Sequence, residues 1–391
     1  MKRIFIVLIS LGFLGNINAQ DQSLQEQIDN IYDNMAKDMS NRWRFKGDLR
    51  FRNENIEQEL ALDRNRNRIR ARVGAVATVN DTVKAEVQFA TGEGGDARST
   101  NQTLGDGNSR KALDLDLAYA EWSPNTSAKI TLGKMKQPLA TTTSFMVDKD
   151  ITPEGFAVNY THAPTGIFAN AAMFDLAERG SAADSTAIAL QAGLRGKVNS
   201  DTSYTLALTH MDHRDVQNHA LAQSGTTGGF FGNTTKIVGC LSKTTAGECM
   251  AYEYTVNSAF VEVNTVLESY PLQVFAEAAQ NSQAPALNQA LALGATLGRA
   301  SLPGSWEMGV VYQNVEKDAL FAQWIDSDFA GGSTDGRGYV VRGAYQAARN
   351  WRINVTYYDN ELNNDVPVLI SGKPLQDREY RRLQVDFNFS F

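Results

Sequence analysis

In residues 43–52, WRFKGDLRFR, the basic side chains Arg44, Lys46, Arg50 and Arg52 take even positions, and Trp43, Phe45, Leu49 and Phe51 take odd ones. In residues 66–74, RNRIRARVG, Arg68, Arg70 and Arg72 alternate with Ile69, Ala71 and Val73. An extended chain places these cations on one face and the apolar residues on the other. Guanidinium groups held together by strand pairing make and break no bonds. They form an electrostatic ladder that draws in anions and orients dipolar molecules. The plainer alternative is a solvated charged face, neutralised in part by acids such as Asp48 and Glu86. Carboxylates that would oppose the ladder stand at Asp148, Asp150 and Glu154, within and just after the polar connection 136–153.

Other chemistry fails on context. GEGGDA, residues 92–97, matches a dinucleotide fingerprint, but STNQTLGDGNSR follows it where a helix is required. No G-x-S-x-G elbow and no GK[ST] phosphate loop occurs. His210, His213 and His219 with Asp212 and Asp215 cluster in THMDHRDVQNH, and a solvated strand rim is expected there rather than a metal site. Cys240 and Cys249 are the only cysteines; in an exported chain they are expected to form a disulfide that stiffens their loop, and without a second pair no zinc site is expected. Neither an enzymatic activity nor a cofactor follows from these residues.

The elements that must position the charges are strands. From Trp43 onward the apolar period is two, giving about sixteen segments near 43–56, 67–79, 82–91, 112–122, 128–135, 154–161, 166–176, 186–198, 202–212, 252–264, 271–281, 289–299, 305–316, 337–347, 351–361 and 377–391. Most are close to the roughly 9 to 11 residues of a tilted membrane-crossing strand. Several connections are minimal, Asn80-Asp81 being the shortest, whereas 92–111, 136–153, 213–251, 317–336 and 362–376 are long and polar. Such asymmetry predicts an all-β, antiparallel transmembrane barrel over residues 43–391.

The ends of the chain agree. MKRIFIVLISLGFLGNINAQ has the layout of a signal peptide, residues 1–19. Residues 20–42 carry the one convincing helical pattern, Leu24, Ile28, Ile31 and Met35, expected as a short periplasmic arm or a coiled coil. Without Lys2 and Arg3 the 37 basic residues become 35 against 44 acidic ones, a formal charge of −9 that disfavours nucleic acid as a partner. The chain finishes LQVDFNFSF, with Phe387, Phe389 and Phe391 on one face. An open aromatic edge of this kind would aggregate; a closed barrel pairs it with the first strand and sets its rings in lipid.

With these residues in view, the terminal strand resembles the signal by which bacterial outer-membrane proteins are recognised by the barrel-assembly machinery. WRFKGDLRFR, RNRIRARVG, LDLAYAEW, ITLGKMKQP and DKDITPEGFAVNY resemble the first six strands of sixteen-stranded Gram-negative porins, especially the "putative porin" family related to phosphate-selective and general-diffusion porins. The resemblance implies an outer-membrane location, lipid contact, passive diffusion of small hydrophilic solutes and ions, and a homotrimer. It further implies that the third long loop folds inward, setting Asp148, Asp150 and Glu154 against the arginine wall. A phosphate- or anion-selective channel is the near alternative; an outer-membrane hydrolase or a plugged adhesin is the distant one. If the apolar face meets lipid, reversing the register would put seven cations into hydrocarbon at about 2 to 4 kcal/mol each near the midplane. That penalty makes the register nearly compulsory.

Overall fold

The computed structural model describes residues 28–32, 42–92, 97–141, 145–180, 182–220, 229–244, 247–370 and 372–391. Residues 28–32 are helical, with Ile28, Ile31 and Tyr32 exposed. The expected leader, 1–19, and most of the expected arm, including Leu24 and Met35, lie outside the described residues, as does most of GEGGDA.

Sixteen long antiparallel strands follow: β1 Trp43–Gln58, β2 Arg64–Thr78, β3 Val83–Thr91, β4 Leu113–Trp122, β5 Ala128–Lys134, β6 Glu154–His162, β7 Ile167–Ala177, β8 Ser185–Lys197, β9 Ser203–Arg214, β10 Tyr254–Leu267, β11 Tyr270–Asn281, β12 Gln289–Gly298, β13 Trp306–Val315, β14 Gly336–Ala348, β15 Trp351–Leu362 and β16 Arg378–Ser390. Each pairs with its neighbours, and β16 pairs with β1, so the sheet closes. Closure removes the edge that a terminal aromatic strand would otherwise expose. The seam is completed by the last residue: Gly47 N–H donates to the Phe391 carbonyl at 2.9 Å, and Phe391 N–H returns a bond to Gly47 at 3.0 Å.

Alternation decides which face each side chain takes. Outward positions carry an exposed apolar band, and near the short turns it is rich in rings: exposed Trp122, Tyr270, Trp351, Phe389 and Phe391, with half-buried Trp306 among them. Trp351 stacks on Phe389 with centroids 5.9 Å apart, and Tyr270 meets Trp306 at 5.2 Å. This is the aromatic girdle expected at one boundary of a membrane band about 25 Å tall.

The length asymmetry of the connections is less uniform than the pattern suggests. Residues 268–269 form a two-residue turn between the segments expected near 252–264 and 271–281, and loops 1 (59–63), 4 (178–184) and 6 (282–288) are short although they lie at the long-loop end. The long ones are loop 2 (92–112), loop 3 (135–153), loop 5 (215–253), loop 7 (316–335) and loop 8 (363–377).

The apolar core lies inside the barrel, against one part of its wall. Ala172, Phe174, Ala187, Ala189, Met211, Val256 and Tyr254 on β7 to β10 pack with Phe145 and Val147 of loop 3 and with Leu320, Phe321, Trp324 and Ile325 of loop 7. Inward alanines leave the room that loop rings occupy: Phe174 and Trp324 meet edge-on at 5.6 Å, Tyr254 and Phe321 at 5.8 Å.

Candidate functional site

The inner faces of β1, β2 and β16 carry the charged wall, and most of the cations expected there have a definite seat. Arg70 and Arg72 grip the two oxygens of Asp48, each at 2.8 Å. Arg52 makes a bidentate pair with Asp386, its register partner across the seam, at 2.6 and 2.8 Å. Glu54, fully buried, is held between Arg66 and Arg382. Arg50 donates to the side-chain oxygen of Asn101 at 2.6 Å and lies 3.9 Å from Asp386, while Arg68 donates to the Asn101 carbonyl at 3.1 Å. Lys46 pairs with Glu86, which also receives Lys136 at 3.0 Å and the Tyr119 hydroxyl at 2.7 Å. Arg44 is exposed and makes none of these contacts.

One further carboxylate comes from loop 7. Asp328 lies 3.2 Å from Arg52 and 2.8 Å from Arg382, and accepts from Gln384 at 2.9 Å. Six guanidiniums, those of Arg50, Arg52, Arg66, Arg70, Arg72 and Arg382, therefore share four carboxylates, Asp48, Glu54, Asp328 and Asp386. The wall keeps an excess of positive charge.

The acids expected to oppose this wall from loop 3 have other partners. Asp148 accepts from the backbone N–H of Ser327 at 2.9 Å, and its own N–H donates to the Trp324 carbonyl at 2.6 Å, so it fastens loop 3 to loop 7. Asp150 accepts from the Thr100 hydroxyl at 3.1 Å, tying loop 3 to loop 2, and remains within electrostatic range of Arg50 and Arg70. Glu154 is the first residue of β6, exposed and paired with Lys134 at 2.9 Å. The physical reason is proximity: strand acids and Asp328 already occupy the arginines.

Position also separates the loop acids electrically. Burial, then the charges of Asp326 and Asp150, pushes Asp148 well above the usual carboxylate range. Burial and the neighbouring Asp328 raise Asp326 as well. Desolvation acts on Asp328 in the same sense, but Arg382 and Arg52 outweigh it and hold that group well below the usual range.

Several residues that organise the site were not singled out from sequence. Arg98 of loop 2 lies 3.5 Å over the Phe231 ring and donates to the carbonyls of Ala322 at 3.2 Å and Gly332 at 2.7 Å. Gln191 of β8 clasps Ala140 of loop 3, accepting from its N–H at 2.8 Å and donating to its carbonyl at 2.9 Å. It belongs to an inward row of side chains, Asn159 to Asn170 at 2.7 Å, Asn170 to Gln191 at 2.8 Å and Gln191 to Thr209 at 3.0 Å. The histidine-rich segment departs from the expected solvated rim. His210 is exposed, but His213 is buried against Phe321, centroids 4.5 Å apart, and His219 is buried beside Ser242. Cys240 and Cys249 are joined by a disulfide.

A closed barrel with a lipid-facing band outside, a charged wall inside and loops folded between its walls is the architecture of an outer-membrane porin. The profile of the family described as "Putative porin" matches residues 56–236 and 246–371, and the chain belongs to that family. No curated protein sequence matches it. Among solved structures, OprB of Pseudomonas putida superposes with a TM-score of 0.57 at 10% identity, over 92% of this chain and 97% of that one. A loop L8 deletion mutant of OmpT, an outer membrane protein of Vibrio cholerae, gives 0.50 at 13% identity, covering 89% and 99%. OmpF of Salmonella typhi gives 0.50 at 10%, covering 89% and 97%. At these identities the likeness is one of fold.

Proposed function

We propose that the protein conducts small hydrophilic solutes and ions passively across the outer membrane, with a preference for anions, and that it carries out no chemistry. The observation behind this reading is that, among the described ion pairs of the inner wall, six guanidiniums share four carboxylates. Low-dielectric walls focus the field of such an excess and raise the local concentration of anions. The resemblance to trimeric porins supports a homotrimer, and the terminal Phe387, Phe389 and Phe391 support recognition by the barrel-assembly machinery. Planar-bilayer recording in a salt gradient tests the reading. Wild type is expected to conduct with a reversal potential on the anion-selective side, and the triple replacement of Arg50, Arg70 and Arg72 by Ser to move it toward cations. At 1 M salt, where the screening length falls to about 3 Å, the difference is expected to shrink. A silent wild type, or a triple variant with an unchanged reversal potential at low salt, defeats the proposal.

A further inference from the structure

Loop 7 touches opposite walls of the barrel within a few residues. Phe321 and Trp324 pack on His213 of β9, with Phe321 also against Tyr254 of β10 and Trp324 against Phe174 of β7. Asp328 reaches Arg52 of β1 and Arg382 of β16. In a closed ring of sixteen strands β9 stands opposite β1. The chain from Trp324 to Asp328 extends at most about 13 to 14 Å, so the rest of the distance is taken up by the Trp324 ring on one side and arginine side chains on the other.

The loop is also fastened along its length. Asp318 accepts from the hydroxyls of Tyr254 at 2.8 Å and Thr234 at 2.6 Å; Asn233 receives the N–H of Ala322 at 2.9 Å; Asn360 of β15 receives the N–H of Ala330 at 3.0 Å. Loops 2 and 3 join it through Arg98 and Asp148. This is a braced strut rather than a surface flap.

At the charged end of the strut, water reaches the groups unequally. The side chains of Arg52, Arg382, Glu54 and Asp386 keep 6%, 4%, 0% and 8% of their exposure, whereas Asp328 keeps 19%. Asp328 is thus the carboxylate of this cluster that a permeating ion meets first. For the fold it is redundant: without it Arg52 retains Asp386 and Arg382 retains Glu54.

We infer that loop 7 is a strut spanning the lumen and that Asp328 at its end is a selectivity-determining residue, restraining the anion preference of the arginine wall. The inference rests on the channel reading above. It is tested on the full-length barrel in planar bilayers with Asp328→Asn and Asp328→Cys, after heat-modifiability on gels has established assembly. At about 0.1 M salt, loss of one carboxylate within roughly 10 Å of the ion path is expected to raise the anion-to-cation permeability ratio about two- to threefold. There is no free cysteine among the described residues, so the D328C thiol is the target for charged methanethiosulfonates. The anionic reagent is expected to return the ratio toward wild type, and the cationic one to raise it further. A conducting wild type with an unchanged ratio in D328N, or a D328C ratio indifferent to the sign of the reagent, overturns the assignment while leaving the channel reading intact. Failure of both variants to assemble overturns it too, because Asp328 is held to be dispensable for the fold. A silent wild type removes the channel reading and this inference together.

Discussion

The inner surface of the barrel is two surfaces. On β1, β2 and β16, long charged side chains point inward, and arginines outnumber the carboxylates they share. On β7 to β12, buried alanines such as Ala172, Ala187, Ala189, Ala279, Ala290 and Ala292 stand among a few rings and uncharged polar side chains such as Asn170, Gln191 and Thr209, and apolar residues of loops 3 and 7 pack against them. Both surfaces satisfy the same outer constraint, an apolar face toward lipid, and the difference lies in what meets the inner face. Guanidiniums tolerate water and can stand as a wall. A stretch of small apolar residues in water would be an exposed patch, and it becomes stable by receiving apolar loop residues. One half of the lumen is therefore set by electrostatics and the other by packing.

This division can be broken from either side, and the largest effect is expected in the packed half. Replacing both Phe321 and Trp324, exposed by 3% and 8%, with Ala removes the rings that seat loop 7. Buried aromatic-to-Ala changes cost about 3 to 5 kcal/mol each. The thermal unfolding midpoint in detergent is expected to fall and single-channel conductance to rise. Arg72→Ser on the other wall, where Arg70 still holds Asp48, is expected to move the reversal potential with at most about 1 kcal/mol of stability change. Equal stability losses for the two variants would erase the distinction.

A smaller effect is expected from overfilling. Ala189 is fully buried beneath the loops, and Ala189→Leu adds volume that must displace packed side chains, at about 1 to 3 kcal/mol. Val73→Leu, on the exposed lipid-facing side of β2, is expected to leave the midpoint unchanged. If Ala189→Leu is equally silent, the inner alanines are not in tight contact with the loops.

The smallest effect is one of pH. Asp148 and Asp326 have folded-state values raised above the ordinary 3.8, so the folded chain takes up these protons more readily than the unfolded chain. The destabilisation they impose when charged is relieved as pH falls through their raised values, and is gone below the ordinary one. The groups that set this balance include Asp150, Asp328, Lys149 and Arg342. Loops 3 and 7 are expected to hold more firmly on acidification from neutral pH toward about 4, read as a rise in the unfolding midpoint relative to an Asp148→Asn, Asp326→Asn double variant. A midpoint difference independent of pH would count against the placement of these acids.

The charged half was legible in the sequence for a physical reason. An arginine at every second position cannot face lipid, so pattern alone assigns both faces of β1 and β2. The arginines' partners were not legible, because Asp386 lies 334 residues from Arg52 and meets it only when the ring closes. The packed half was hidden differently. In ALQAGL or FAEAAQ the inward and outward residues are both mostly apolar, and alternation then carries little contrast. Loop 7 did hold a signal: Leu320, Phe321, Trp324, Ile325 and Phe329 are too apolar for a connection that stays in water. Arg98 and Gln191 held none, since a basic residue in a loop and a lone glutamine in a strand look like solvated side chains until their partners are in place.

The seam between the first and last strands has a consequence for how the ring shuts. Arg50, Arg52 and Glu54 stand opposite Asn388, Asp386 and Gln384. A slip by two residues would keep every apolar side chain outward, yet it would set Arg52 opposite Gln384 or Asn388 and leave Asp386 without its bidentate partner. A slip by one would turn the cations outward. The carbonyl and N–H of Phe391 can reach Gly47 only in the native alignment. Closure therefore proofreads itself: at the junction that joins the two ends of the barrel, a misaligned strand carries an electrostatic penalty as well as lost backbone bonds.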